Sequence, residues 1–225
     1  VNFHNPASLF ATDTLSFIFD IGYTVDWTRI STNANSSHSF LGNISNISFA
    51  FPITKDLKMA IGLMPISDIN YKTTDSITKV NVGSYTKTYE GDGGLDKVII
   101  GLAYKPSFNK FLNRFSIGAN ASYVFGNVYK STTIAFPDSS YYFNTRLENN
   151  YNVSAFNFDF GIQYFQKFKN GDIFGAGLTY SMPIKLPTDN ISLYYTFYEY
   201  AALEYVQDTI WRTSSDGDIK MPPSI

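Results

Sequence analysis

From Thr14 to Ile30 apolar and polar positions alternate. One side reads Leu15, Phe17, Phe19, Ile21, Tyr23, Val25 and Trp27; the other reads Ser16, Ile18, Asp20, Gly22, Thr24, Asp26 and Thr28. A period of two is the mark of a β-strand, whose side chains point alternately to opposite faces. The run is long, since strands of soluble proteins average about 5–6 residues. The pattern recurs over Leu57 to Pro65, Lys97 to Lys105, Arg114 to Asn127, Asn152 to Gln166 and Asp172 to Met182. In the later runs large apolar residues face Gly, Ser, Asn and Asp across the strand. About eight strands are predicted, and Ile191 to Arg212 is too aromatic and irregular to divide.

The connections are unequal. Thr54-Lys55-Asp56, Lys169-Asn170-Gly171 and the slightly longer Pro106 to Asn113 are compact. Ser31 to Ser39, Ser67 to Gly83 and Ser131 to Asn150 read as long polar loops. Short turns on one side, long loops on the other and long alternating strands are features of an outer-membrane β-barrel. The fold class expected is therefore all-β, a transmembrane antiparallel β-barrel. Rings fall on the apolar side and near strand ends, as at Tyr23, Trp27, Tyr104, Tyr123, Tyr164 and Tyr180, which suits an interfacial girdle. The other side has few Lys and Glu, so a crowded, hydrated lumen is favoured over a soluble sandwich or a lipocalin-like barrel.

Composition sharpens this picture. Tyr 17, Phe 20 and Trp 2 make the chain 17% aromatic, against 16% charged. Mean hydropathy is nevertheless −0.12. Alternation reconciles the two, with rings on one face and small polar residues on the other. The net charge of −2 argues against a nucleic-acid partner. With no Cys and only His4 and His38, thiolate chemistry, disulfides and a His-rich metal site are excluded. No apolar run reaches the roughly 18–20 residues of a transmembrane helix. The chain has neither an initiator Met nor a signal-peptide pattern, and reads as a mature or truncated fragment from which further strands are expected to follow.

Lumen-facing polar residues are expected at Asp20, Asp26, Asn120, Asn157, Asp159 and Gln163. Acids there could pair or exchange protons, but solvation is the ordinary state, and no catalytic residue, metal or cofactor is assigned. Asn35, Asn43, Asn46, Asn120, Asn152 and Asn190 stand in Asn-x-Ser/Thr, a spacing that alternation generates unaided. Asp216-Gly217-Asp218 lacks the remaining ligands of a calcium loop and reads as a turn. The run Tyr194 to Tyr200 reads as a lipid-facing or girdle strand.

Several segments resemble the FadL/TodX family of outer-membrane hydrophobic-compound channels, in the diverged form of Bacteroidota. Asn5-Pro6-Ala7 is similar to the family signature that closes the amino-terminal hatch. Gly62-Leu63-Met64-Pro65 resembles its strand ending in Gly-x-x-Pro. Gly91-Asp92-Gly93-Gly94-Leu95 resembles its Gly-x-Gly-Gly-Leu strand, and Phe115 to Gly126 the strand that follows. The resemblance implies a fourteen-stranded barrel in a Gram-negative outer membrane. Residues 1–13 would end the hatch and 14–225 would be barrel, incomplete at the carboxy end. It implies Asn5, Pro6 and Ala7 as hatch anchor, with Asn able to form an Asx-turn and Pro fixing φ. It implies uptake of a hydrophobic small molecule by lateral release, with Gly91, Gly93 and Gly94 as a strand kink or wall opening. An ordinary bulge or bend remains the alternative at those glycines. Lipid, a hydrophobic ligand and an outer-membrane protein partner are the expected partners. The second functional reading is a non-transporting accessory subunit of a larger outer-membrane complex, such as type 9 secretion.

Overall fold

The structure, a computed structural model, describes residues 1–11, 16–31, 36–136, 142–200 and 203–224. The strands are β1 (Ile18–Ser31), β2 (Ser36–Pro52), β3 (Leu57–Lys79), β4 (Gly83–Tyr104), β5 (Phe115–Ala135), β6 (Asn144–Lys167), β7 (Ile173–Ser181), β8 (Ile184–Tyr200) and β9 (Leu203–Met221). They form one nine-stranded antiparallel sheet in the order β1-β2-β3-β4-β5-β6-β8-β9, with β7 also on β6. The all-β antiparallel expectation is thus met. The sheet is not closed, because β1 and β9 do not pair among the described residues. The predicted start of the first strand at Thr14, and the proposed boundary between residues 13 and 14, lie outside the described residues.

Continuous register sorts the side chains into rows. One row crosses six strands as Ile21, Ile47, Leu63, Val98, Tyr123 and Phe156. The next runs Phe19, Phe49, Ile61, Ile100, Ala121 and Phe158. Below it lie Phe51, Met59, Leu102, Ala119 and Phe160. Such residues are exposed, Phe156 by 69% and Ile117 by 52%. Neighbouring rings in these rows touch: Phe19–Phe49 and Tyr123–Phe156 each have centroids 4.9 Å apart. Cross-strand aromatic pairs of this kind each add about 0.5–1.5 kcal/mol beyond area burial.

The opposite, concave face carries the alternate residues. Its rows read Asp20, Ser48, Gly62, Ile99, Ser122, Asn157; then Ile18, Ala50, Ala60, Gly101, Asn120, Asp159; then Lys58, Ala103, Gly118, Gly161. Nearly all are small or polar. The core lies here, in two clusters: Phe3, Leu9, Ala50, Ala60, Ile99 and Ala103, and separately Val124, Val153, Ala155, Ile184 and Leu186.

Two expected loops are strand instead. β3 continues to Lys79 and β4 starts at Gly83, so most of 67–83 is paired; β5 runs to Ala135 and β6 starts at Asn144. Both faces are polar there, which erases the hydrophobic period, but the ladder needs only backbone groups. Thr74–Thr88 at 3.1 Å and Thr78–Ser84 at 3.0 Å add hydroxyl bridges across it. The hairpin turns through Val80 to Gly83, where Gly83 has φ +86° and Val82 N–H donates to Lys79 O. Asp216, Gly217 and Asp218 are also strand, paired with Asp189, Thr188 and Pro187, and not a turn. In the aromatic run Tyr195 and Phe197 are buried, whereas Tyr198 and Tyr200 are exposed.

Candidate functional site

The first eleven residues lie on the concave face. Pro6–Ala11 forms a 3-10 helix whose neighbours are β3, β4, β5 and β6. Asn5 builds the turn before it: its side-chain oxygen accepts from Ala7 N–H at 3.1 Å and its carbonyl from Ser8 N–H at 3.0 Å. The bed beneath is made of residues without bulk. A Cβ on Gly118 would lie 2.5 Å from Ala7 N and Pro6 C; one on Gly161 would lie 2.3 Å from Asn5 Oδ1. The Phe3 ring lies over Gly62, 2.6 Å from where its Cβ would be.

Buried side chains of the sheet then bind the segment's backbone. Asn120 Nδ2 donates to Phe3 O at 2.7 Å, Ser116 Oγ to Ala7 O at 2.9 Å and Lys58 Nζ to Leu9 O at 3.1 Å. Lys58 also sits 5.2 Å from the Phe10 ring centroid, in cation–π contact. A segment too short to fold alone has its orphan carbonyls satisfied by the sheet. Of the residues expected to face a lumen, Asn120 binds this segment and Asp20 accepts from Asn46 Nδ2 at 3.0 Å. Gln163 stands near Phe10 and Ala11 in a small recess. Asp26 lies far along β1, opposite Leu41, and takes no part. Sequence reasoning missed Lys58, Ser116, Gly118 and Gly161; the signal for the last three is the run of small residues on the polar face, and Lys58 has none.

Asn157 and Asp159 line a cavity of about 380 Å³ beside this segment, together with His4, Lys97 and Met182. It abuts a break in the wall. β6 pairs with β7 from Asp159 to Lys167 and with β8 from Asn144 to Val153, so β7 and β8 act as one strand interrupted at Met182–Pro183. Across the break Met182 N–H donates to Phe158 O at 3.1 Å. Pro183 and Pro187 cannot donate to a ladder, which accounts for the interruption.

No break occurs at the glycines expected to open the wall. Gly91, Gly93 and Gly94 lie inside β4, paired on one side with Tyr71, Ile69 and Asp68 and on the other with Lys130, Val128 and Asn127. Gly93 does kink, with φ +105°, next to a bulge in β3 between Pro65 and Ser67.

A second cluster lies where the strands extend past the apolar rows. There the convex face turns polar, with Asn127, Tyr129, Ser131 and Thr133 opposite Asn152, Asn150, Glu148 and Arg146. Arg146 grips Glu204 with both terminal nitrogens, at 2.8 and 2.6 Å, and Thr133 with Nε at 3.0 Å. Its guanidinium stacks 4.7 Å from the Phe197 ring centroid. Tyr195 donates to Glu148 at 2.9 Å. Burial works against the Arg146 charge, but hydrogen bonding to Glu204 and contact with Tyr195 raise its pKa overall. Burial, then the hydrogen bond to Glu148, pushes the Tyr129 hydroxyl up to about 12. This cluster joins β5, β6, β8 and β9 and has the makings of a structural clamp.

An antiparallel wall with an apolar convex face, and a concave face occupied by its own amino-terminal segment, defines the molecule as a β-sheet scaffold. The BamG family model matches residues 1–225, and the chain belongs to the BamG family, named for a BAM complex subunit. Membership associates it with the outer membrane and its BAM machinery. Neither a curated protein nor a solved structure matches the chain. The FadL/TodX resemblance is thereby corrected, because the family match covers the whole chain whereas the resemblance rested on short segments. Those segments encode generic needs of such a sheet: a turn before the first strand, and small residues at a kink and beside a bulge. The fourteen-strand count and the channel reading lose their support with it, and the complex indicated is BAM where the resemblance offered type 9 secretion.

Proposed function

We propose that this chain is a non-catalytic accessory subunit of the BAM complex, set in the outer membrane with its convex rows against lipid. The observation that carries the reading is the occupied concave face. Phe3 to Leu9 are bound by buried Asn120, Ser116 and Lys58, so the space a ligand path would need holds protein. The apolar rows suit the lipid-facing role. On β5 they run from Phe115 to Phe125, roughly 33 Å along the strand at about 3.3 Å per residue. With a tilt of about 40° that becomes roughly 25 Å, the height of an outer-membrane band. The short turns then face the periplasm and the polar strand extensions face outward. Affinity capture of the full-length protein from outer membranes tests the reading. BAM subunits are expected in constant proportion; isolation without them, together with uptake of a fatty ligand into liposomes, would overturn it.

A further inference from the structure

Charge is segregated along the strand axis. The three short turns, residues 53–57, 105–114 and 167–172, contain Lys55, Lys105, Lys110, Arg114, Lys167 and Lys169. Against these six stand only Asp56 and Asp172, a local balance of +4. The rest of the chain has eleven basic and seventeen acidic residues, a balance of −6. Among the described residues none of the six is in an ion pair. The two carboxylates are engaged by neutral donors instead, Asp56 by Ser107 Oγ at 2.8 Å and Asp172 by Asn170 Nδ2. The cations are therefore not arranged to neutralise one another's surroundings within this chain.

The turns are also apolar at their tips. Phe108 is 77% exposed and Phe111 60%, with Phe168 exposed beside Lys167 and Lys169. The basic residues stand next to the lowest apolar row: Lys105 follows Tyr104, and Arg114 precedes Phe115. Directly above, the rows leave an apolar recess of about 370 Å³ on the convex face, where Ala119 lies between Leu102 and Phe160. A cation placed at the foot of an acyl-sized apolar recess is complementary to one amphiphile, an anionic lipid with its headgroup at the turns.

We infer that the short-turn rim is a binding surface for anionic phospholipid of the adjoining leaflet, with Lys105, Lys110 and Arg114 holding the phosphate groups. An acidic protein surface would match the charge but not the exposed rings or the continuity with the apolar rows. The inference rests on the membrane-embedded reading above. Each basic group at an anionic surface strengthens binding about fivefold, an effect screened by salt.

The test places the full chain in nanodiscs of phosphatidylethanolamine mixed with phosphatidylglycerol and counts, by native mass spectrometry, the lipids retained after partial delipidation. Wild type is expected to retain phosphatidylglycerol preferentially, less so at high salt. The triple variant K105Q/K110Q/R114Q should bind it on the order of tenfold or more weakly. The double variant K72Q/K130Q, altered beyond the apolar rows, should retain it as wild type does. Insertion of all three proteins with equal lipid preference would overturn this inference alone. Failure of wild type to insert in any bilayer would overturn the membrane reading and this inference with it. Unchanged lipid retention with loss of an acidic protein partner would assign the rim to that protein instead.

Discussion

Gly118 shows how a single residue decides whether the concave face is filled. Its hydrogen stands where any side chain would enter the backbone of Pro6 and Ala7. Gly118→Leu should leave the sheet intact but expel the amino-terminal segment, at a cost of about 1–3 kcal/mol. Limited proteolysis checks this, with cleavage expected within residues 1–11 in the variant only; equal resistance would contradict it. Gly93→Ala is a different case. The substituted residue would need φ +105° and a Cβ 2.2 Å from Asn127 O. A loss of about 1–3 kcal/mol is expected in urea unfolding, because the strain falls on backbone that cannot move aside. These roles are only partly legible from sequence. That Asn120 belongs to the inner face follows from alternation, but that it binds Phe3 depends on a contact between residues 117 positions apart. In the sequence Lys58 is only one step of an alternation, since no local pattern says that its amine reaches the end of a short helix.

Elements differ in how well they announce themselves. β1, β5 and β6 were readable where one face is apolar, because burial of one face and lipid or solvent on the other impose a period of two. The extensions of β3, β4, β5 and β6 are not, because polar residues on both faces leave no period while the backbone ladder continues, and β8 is not, because aromatic residues on both faces blur it. The Arg146–Glu204 clamp belongs to that hidden region. Its tyrosines have hydroxyls raised above the ordinary value near 10, so the neutral form is the one the fold stabilises. That contribution is complete below pH 10 and is lost as pH rises through about 12. Ultraviolet titration should find Tyr129 among the last tyrosines to ionise, with loosening of the extension following it; ionisation near 10 without loosening would contradict this. The interrupted β7–β8 strand makes another expectation at this scale. Hydrogen exchange should be faster at Ser154 to Asn157, beside the break, than at Ile117 to Val124, which are paired on both sides.

At the scale of the whole molecule, the sheet separates its faces along the apolar rows. Rings collect on the convex side and mostly small or polar residues on the concave side, while the short turns carry a local balance of +4 against −6 for the rest of the chain. That separation explains how a chain 17% aromatic keeps a mean hydropathy of −0.12. It also explains why the architecture was readable and the family was not. Alternation is demanded by any such wall, whereas the partner is specified by surfaces and loops that alternation does not constrain. The accessory role makes the assembly the decisive object. Native mass spectrometry of BAM particles extracted intact from outer membranes measures it most directly. The expected mass includes one copy of this protein in a constant proportion of particles and falls by that copy when its gene is removed. Particles of unchanged mass and composition after removal would contradict it.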